Sequence, residues 1–381
     1  MNVIFTIGIF ISLFQFVLLL NKKSKSLSDK VLAVWMLIIG IHLTNYYIYY
    51  LGYWDIYPHL VGLTVPFPLL YGPVLYLYIL YSLKSDNHIR KIDYLHFAPA
   101  ILSYLYMFQF YFFYSVEEKR LVDKGEINDF DIFSNLLLLA FVVSGISYSL
   151  FSYQLLKKHK NIIENNFSNT EHINLNWLKG FILGVGLIFL TVIITIILKD
   201  IVGINYSMNP DYIYYSMLVF AILTLGYFGI RHQNIFIDNI VIVSEIKTKG
   251  EYRNSGLKEE DAIEKYNSLL QLMNEEKPYL DPKLTLYSLA DLLEISPNHL
   301  SQIINQYEQQ NFNDFINKYR IEEFLKNALE NKNYSFLALA LDSGFNSKST
   351  FNTVFKKQKG VTPSHFMVSH KDWNTPGSFL F

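Results

Sequence analysis

The first two thirds of the chain alternate long apolar stretches with short polar loops. Seven stretches contain no Asp, Glu or Arg and a single Lys, Lys179, which lies close to one end. Because a bilayer core needs about 20 apolar residues in helical form, this pattern predicts seven membrane-spanning helices. The predicted spans are 3–20, 31–50, 60–83, 94–114, 132–156, 177–198 and 212–230.

The basic residues of the loops predict how these spans are oriented. Eleven Lys or Arg residues lie in or beside the first, third and fifth loops, against four in the second, fourth and sixth. Since Lys and Arg favour loops on the cytoplasmic side, we expect the N-terminus outside the cell and the C-terminal part inside it. No basic residues precede the first span, so it is expected to be a retained anchor and not a cleaved signal peptide.

Beyond the last predicted span, the pattern changes to that of amphipathic helices in water. Residues 231–256 are predicted to be a linker, and a first helix is predicted over 257–276, where apolar residues fall at helical spacing. A domain is expected over 257–370, followed by a tail over 371–381.

Within this domain, one arrangement occurs twice. Residues 284–305 read as a short helix, a tight turn and a second helix, with Ser296 as a cap and Pro297 at the first helical position. Residues 335–357 repeat the pattern about 50 positions later. A helix predicted over 312–329 would separate the two copies by about 27 Å. Both copies have helix-turn-helix spacing.

The turns of the two copies differ in one residue. Gly344 supplies a left-handed conformation in the second copy, where the first copy has Glu294 and is expected to be strained. A set of apolar residues around both turns is predicted to be buried: Leu289, Leu300, Phe345, Phe351 and Phe355.

The distribution of charged residues supports the division of the chain into an apolar first part and a water-soluble second part. The first 256 residues carry 36 charges and the last 125 carry 29, and only the second share is close to that of a soluble protein. The chain has no cysteine, which excludes disulfides, Cys-ligated metals and a Cys nucleophile. No His cluster or nucleophile–base pair has metal-binding or catalytic spacing, so no cofactor, metal or enzymatic activity is expected.

Residues of about 259–370 resemble an AraC-type DNA-binding domain. The pieces that carry the resemblance are 300–305, 311–321, 344–347, 351–357 and 360–364. It implies two helix-turn-helix units, joined by a linker helix, that bind successive major grooves of promoter DNA. The whole chain is similar to bacterial membrane-embedded AraC-type regulators through its architecture and through residues 71–73 and 95–99. The expected fold is therefore all-α, with a seven-helix transmembrane bundle followed by this cytoplasmic domain.

Polar residues at the starts of the two recognition helices are the candidates for DNA contact. They could also be merely solvated helix faces. The candidates are Asn298, His299, Ser301, Gln302, Ser347, Lys348, Ser349, Thr350 and Asn352, with Lys356 and Lys357 on phosphates.

The charge of the domain predicts modest affinity for DNA. Residues 257–381 contain 13 basic and 16 acidic side chains, and the first recognition helix has no Lys or Arg. Because phosphate contacts supply much of the affinity, we expect binding to depend on the second unit and on a homodimer.

A broken third span and a few polar residues within the apolar stretches mark a possible signal pocket. A proline is tolerated in a membrane helix only where neighbouring protein or a cavity compensates the lost backbone hydrogen bonds. The break in the third span therefore indicates either a ligand pocket or a packing kink. The candidate residues are His42, Asn45, Pro66, Pro68, Tyr71, Gly72, Pro73 and His96.

The expected function is a membrane-bound transcription regulator that couples a signal, either a small molecule or an envelope signal, to gene expression. It would be a multi-pass protein of the bacterial inner membrane, in contact with lipid and with DNA. An alternative is a transporter or membrane enzyme with an attached regulatory domain, although no carboxylate lies within the predicted spans. A third reading is that the spans only tether a constitutive regulator.

Overall fold

The chain folds into two compact units. A computed structural model describes residues 2–23, 25–83, 88–170, 176–204, 211–231, 259–330 and 333–369. The first unit, called the membrane unit after its predicted spans, comprises Met1–Lys158 with Leu175–Glu245, and the C-terminal unit comprises His159–Asn174 with Ile246–Phe381. The predicted linker, apart from its first residue, and the predicted tail over 371–381 lie outside the described residues.

Every regular element of the described residues is helical, which confirms the predicted all-α class. Short 3-10 turns at Pro58–Leu60 and Lys91–Phe97 and a π turn at Ile197–Ile201 connect the longer helices. The helices that precede the C-terminal domain are α1 (Asn2–Asn21), α2 (Leu27–Tyr50), α3 (Tyr53–Ile56), α4 (Pro68–Ser82), α5 (Ala98–Tyr106), α6 (Phe108–Phe113), α7 (Val116–Asp123), α8 (Asp131–Asn166), α9 (Asn176–Ile196) and α10 (Asp211–Arg231).

Among the described residues, four helical segments are long and apolar enough to cross a bilayer. They are Asn2–Asn21, Leu27–Tyr50, Asp131–Asn166 and Trp177–Lys199. Two shorter apolar segments, Pro68–Ser82 and Tyr212–Phe228, coincide with the third and seventh predicted spans. Because Pro68–Ser82, with 15 residues, is shorter than a bilayer core requires, the count of seven spans stays a prediction.

The fourth predicted span, 94–114, is not one helix. A 3-10 turn passes into α5, which has Pro99 in its first turn, and Met107 then separates α5 from α6. Proline has no N–H to donate to the preceding turn, so a new helix begins there. The third predicted span is shortened for a similar reason, since α4 begins only at Pro68.

Small residues allow the apolar helices of this unit to pack closely. A Cβ atom on Gly8 of α1 would lie 2.5 Å from Val219 of α10, and one on Gly40 of α2 would lie 2.9 Å from Leu13. Between α1 and α10, the Gln15 side chain also donates to the backbone oxygen of Ile222 over 3.3 Å. Helix α1 is therefore held between α2 and α10, as is typical of helices that associate through small residues in a membrane.

The C-terminal unit contains the helices predicted for two helix-turn-helix units. The linker helix runs over Phe312–Glu330, one residue longer than predicted, and the first helix runs over Glu259–Glu275. In chain order the helices are α11 (Glu259–Glu275), α12 (Leu286–Leu292), α13 (Pro297–Glu308), α14 (Phe312–Glu330), α15 (Phe336–Asp342), α16 (Lys348–Lys359) and α17 (Pro363–Ser369).

Helix α14 contributes to two separate apolar cores. Its first half places Phe312 and Phe315 in a cluster with α11, α12 and α13. Its second half places Phe324 and Leu325 in a cluster with α15, α16 and α17. The five residues predicted to be buried around the turns are no more than 2% exposed. Each helix-turn-helix unit therefore has its own core, and one rigid helix joins them.

The two turns have the backbone conformations that the sequence predicts. Gly344 has a φ of 92° and Glu294 a φ of 54°. The left-handed region costs an L-residue with a side chain roughly 1–2 kcal/mol, so the first turn is strained and the second is not.

Candidate functional site

The first candidate DNA-binding surface is the beginning of α13. The Ser296 hydroxyl accepts a hydrogen bond from the backbone N–H of His299 over 3.2 Å and caps the helix. Leu300 and Ile303 anchor its inner face, where they are at most 1% exposed. The candidates on its outer side are all accessible: Asn298 and Gln302 are exposed, and His299 and Ser301 are half-buried.

The second candidate surface is α16, which is supported in the same way. The Ser347 hydroxyl accepts from the backbone N–H of Thr350 over 3.2 Å, so both residues also form the helix cap. Phe351 and Phe355 fix the inner face. The predicted contact residues Lys348, Ser349, Asn352, Lys356 and Lys357 are all exposed.

The lysines at the end of α16 differ in their surroundings. The Lys357 ammonium lies 2.5 Å from a carboxylate oxygen of Asp314 on the linker helix, and its side chain is 64% exposed. Within the described residues, no such carboxylate partner is found for Lys348 or Lys356. The ammonium groups of Lys348 and Lys356 are therefore less neutralised by carboxylates than that of Lys357.

Arg320 occupies the junction between the two helix-turn-helix units. It lies on α14, is 1% exposed, and donates from Nε to the backbone oxygen of Tyr279 over 2.8 Å. It also donates from Nη2 to the backbone oxygen of Asp281 over 2.8 Å. Burial lowers the pKa of its guanidinium to about 10. Hydrogen bonds to these carbonyl oxygens offset part of the free-energy cost of removing the guanidinium charge from water.

A segment far away in the sequence completes the surroundings of Arg320. Ser168, which follows the end of α8, accepts hydrogen bonds from Arg320 on its backbone oxygen over 3.1 Å and on its hydroxyl over 3.0 Å. No local pattern in the sequence predicts this contact. The residues are 152 positions apart, and the only local signal was the polar character of the loop after the fifth predicted span.

In the membrane unit, three candidates of the predicted signal pocket line one apolar cavity. The cavity has a volume of about 220 Å³, and His42, Pro68 and Tyr71 form part of its wall. The His42 Nδ1 atom lies 2.5 Å from the Tyr71 hydroxyl, and the Nε2 atom lies 3.4 Å from the hydroxyl of Tyr215. The His42 ring therefore joins α2, α4 and α10 at the side of the cavity.

The other pocket candidates do not line this cavity. Asn45 accepts a hydrogen bond from the Thr64 hydroxyl over 3.1 Å, and His96 is paired with the Tyr148 hydroxyl over 2.8 Å. A Cβ atom on Gly72 would lie 2.9 Å from Tyr148, so this glycine permits close packing with α8. Pro66 precedes α4, and Pro73 lies inside it.

Comparison with known proteins supports the assignment of the C-terminal domain as a helix-turn-helix domain. A helix-turn-helix domain model matches residues 289–368. The chain is 27% identical over 143 residues to the "Uncharacterized transcriptional regulatory protein YesN" of Bacillus subtilis, an alignment that covers 35% of this chain and 38% of that protein. It is 35% identical over 68 residues to the "Probable transcription factor PqrA" of Proteus vulgaris, covering 18% of this chain and 55% of that protein.

These matches cover part of each protein. The chain spans about two fifths and about half of the lengths of the two relatives. No solved structure matches the chain at a significant level. The matched residues 289–368 are those that form the two turns, the linker helix and both candidate surfaces. The C-terminal part of this chain is an AraC-type helix-turn-helix domain, homologous to those of transcription regulators.

Proposed function

We propose that the protein is a membrane-bound, sequence-specific DNA-binding transcription regulator that couples a signal sensed by its membrane unit to gene expression. The observation that carries this proposal is the presence, on one chain, of an AraC-type domain and of four helices suited to cross a bilayer. Each of the two helix-turn-helix units has a capped recognition helix with an accessible polar face.

Contacts with DNA are assigned to both recognition helices. Asn298 and Gln302 of α13 and Asn352 of α16 are exposed and suited to pair with adenine edges in the major groove. Lys348 and Lys356 would contact phosphates and supply the salt-dependent part of the affinity. A second copy of the chain would double these contacts, and we therefore assign a homodimer on promoter DNA.

The cavity beside His42 is the proposed place of the signal. It is apolar, of a size for a small molecule, and bordered by helices α2, α4, α8, α9 and α10. A ligand there would alter the packing of several helices at once. The membrane unit is assigned to the bacterial inner membrane, with the N-terminus outside and the DNA-binding domain in the cytoplasm.

The test is a genome-wide map of DNA bound by the full chain in cells. We expect the protein in the membrane fraction together with discrete bound sites that disappear in the double variant Asn298→Ala, Lys348→Ala. The variant must reach the same membrane level as the unaltered chain. Membrane protein without discrete sites, or sites unchanged in the variant, would contradict the proposal.

A further inference from the structure

Two residues of the loop after α8 lie in a slot on the DNA-binding domain. Phe167 forms an isolated antiparallel β-bridge with Thr285, at the start of α12. The Ser168 backbone N–H donates to the backbone oxygen of Leu284 over 3.2 Å, and the Ser168 hydroxyl donates to the same oxygen over 2.7 Å. Phe167 is 8% exposed and Ser168 is 1% exposed.

The linker helix contacts this segment from the other side. The side-chain amide of Asn313 donates to the backbone oxygens of Phe167 and Ser168, over 3.1 and 2.9 Å. Arg320 adds two further donors to Ser168, as described above. Three of the four polar backbone groups of the two residues therefore have a partner in the first helix-turn-helix unit or in the linker helix, which is typical of a specific contact. The fourth, the Phe167 N–H, donates within α8 to the backbone oxygen of Ile163 over 2.9 Å.

The slot lies where both helix-turn-helix units meet. A Cβ atom on Gly344, in the turn of the second unit, would lie 3.0 Å from Nε of Arg320 and 2.3 Å from the backbone oxygen of Tyr279. If Ser168 left the slot, the Arg320 guanidinium would lose two acceptors and would need water or other protein oxygens in their place. Losing these directed hydrogen bonds would weaken the hold of Arg320 on the junction.

The segment is also directly connected to a membrane helix. Helix α8 is continuous from Asp131 to Asn166, and Phe167 is the next residue. Ten residues of α8 lie between the predicted span 132–156 and Phe167, about 15 Å of helix. A movement of α8 at its membrane end would therefore reach Phe167 and Ser168 through helical chain.

We propose that the segment Phe167–Ser168 is an intramolecular docking element that holds the two helix-turn-helix units in the alignment that binds DNA. Docked, it satisfies Arg320 and keeps the recognition helices at a fixed separation. Released by a movement of α8, it lets the junction loosen and the affinity for DNA fall. This inference rests on the proposed function, because it names the route by which the membrane unit regulates DNA binding.

Disulfide cross-linking of the full chain in membranes tests whether the segment is docked. The chain has no native cysteine, so introduced pairs have no background. Antiparallel bridge partners have Cα atoms about 4.5–5.5 Å apart, within the range that a disulfide accepts. The pair Phe167→Cys with Thr285→Cys should cross-link under mild oxidation. The control pair combines Phe167→Cys with Tyr334→Cys, an exposed residue of the loop after α14, and should not. Equal cross-linking of both pairs, or of neither, would overturn the docked arrangement.

Affinity for DNA tests the regulatory role. Ser168→Pro removes the N–H that bonds Leu284 and should weaken binding of the full chain, in lipid nanodiscs, to a mapped promoter site by about tenfold. Thr170→Ala alters a neighbouring hydroxyl residue and should leave affinity unchanged. The disulfide-locked Phe167→Cys, Thr285→Cys protein should bind at least as tightly as its reduced form. Equal affinities of Ser168→Pro and Thr170→Ala would overturn the proposed role.

A double-mutant cycle provides a second criterion that needs no disruptive change. Ser168→Ala and Asn313→Ala remove contacts with the same segment from opposite sides, so their effects on affinity should be clearly non-additive. Strict additivity would contradict a shared docking element. If the unaltered chain bound no promoter DNA at all, the proposed function would fail, whereas the cross-linking result would still decide whether the segment docks.

Discussion

At the residue scale, Arg320 and Gly344 explain how the junction between the helix-turn-helix units is built. Arg320 fills the junction with a buried guanidinium that donates to four acceptor oxygens. Gly344 passes so close to Tyr279 that no side chain fits. A glycine at a left-handed turn could be predicted from the sequence. The acceptors of Arg320 could not, because they come from segments that are distant in the sequence.

The first residue-scale prediction concerns Gly344. Gly344→Ala should destabilise the C-terminal unit by more than about 2 kcal/mol, since it combines left-handed strain with a clash against a backbone oxygen. Gly360 is the matched control, because its φ is 77° and a Cβ atom there would meet nothing within 4 Å. Gly360→Ala should cost only about 1 kcal/mol. Urea-dependent proteolysis of the full chain in nanodiscs measures both, and equal losses would refute the assignment of a clash.

The second residue-scale prediction concerns Arg320. Arg320→Ala leaves Tyr279, Asp281 and Ser168 oxygens without their donor and should cost about 3 kcal/mol. Arg320→Lys keeps the charge but has three donors on one nitrogen, against five spread over the planar guanidinium of Arg, so it should recover only part of the loss. The same proteolysis assay ranks the variants. Full recovery by Lys would show that charge, and not directed hydrogen bonding, matters at this position.

At the element scale, recognition helix α16 carries the charge that α13 lacks. Lys348 and Lys356 are exposed on α16, whereas α13 contains no Lys or Arg. The two helices are therefore expected to contribute differently to DNA binding. Helix α13 should contribute mainly to sequence preference, and α16 should also contribute to affinity.

The element-scale prediction separates these roles by salt dependence. Lys356→Ala should weaken DNA binding at all sequences and reduce the slope of log affinity against log salt by about one. Lys357→Ala should have a smaller effect, because Asp314 already neutralises part of that charge. Asn298→Ala should leave the slope unchanged and relax preference at one base pair. Titrations over a range of salt concentrations measure all three, and a steeper loss for Lys357 than for Lys356 would contradict the pairing.

The helices themselves show what local pattern can and cannot predict. Helix α14 was predicted to within one residue, because its apolar spacing and the polar residues around it are local signals. The fifth predicted span ended at residue 156, yet α8 continues to Asn166. Hydropathy finds where the apolar residues stop, whereas the helix continues beyond them and ends where Phe167 and Ser168 contact other parts of the C-terminal unit.

At the scale of the whole molecule, the basic residues of the loops predict which side of the membrane each loop faces. This orientation stays a prediction, because the described helices do not fix it. Lys25 belongs to the loop after α1 and Lys124 to the region between α7 and α8, and both are exposed. In intact cells, a membrane-impermeant maleimide should label Lys124→Cys and not Lys25→Cys. Permeabilised cells should label both, which serves as the control. The reverse labelling would invert the topology and place the DNA-binding domain outside the cell.

The most direct test of the whole proposal is a footprint of the full chain, in nanodiscs, on a promoter site mapped in cells. Two helix-turn-helix units on one linker helix should protect two segments centred about 10 base pairs apart, one turn of DNA. Asn298→Ala should weaken protection of one segment and Lys348→Ala that of the other, while Ser168→Pro should weaken both. A single protected segment, or protection that none of these variants alters, would contradict a DNA-binding regulator built in this way.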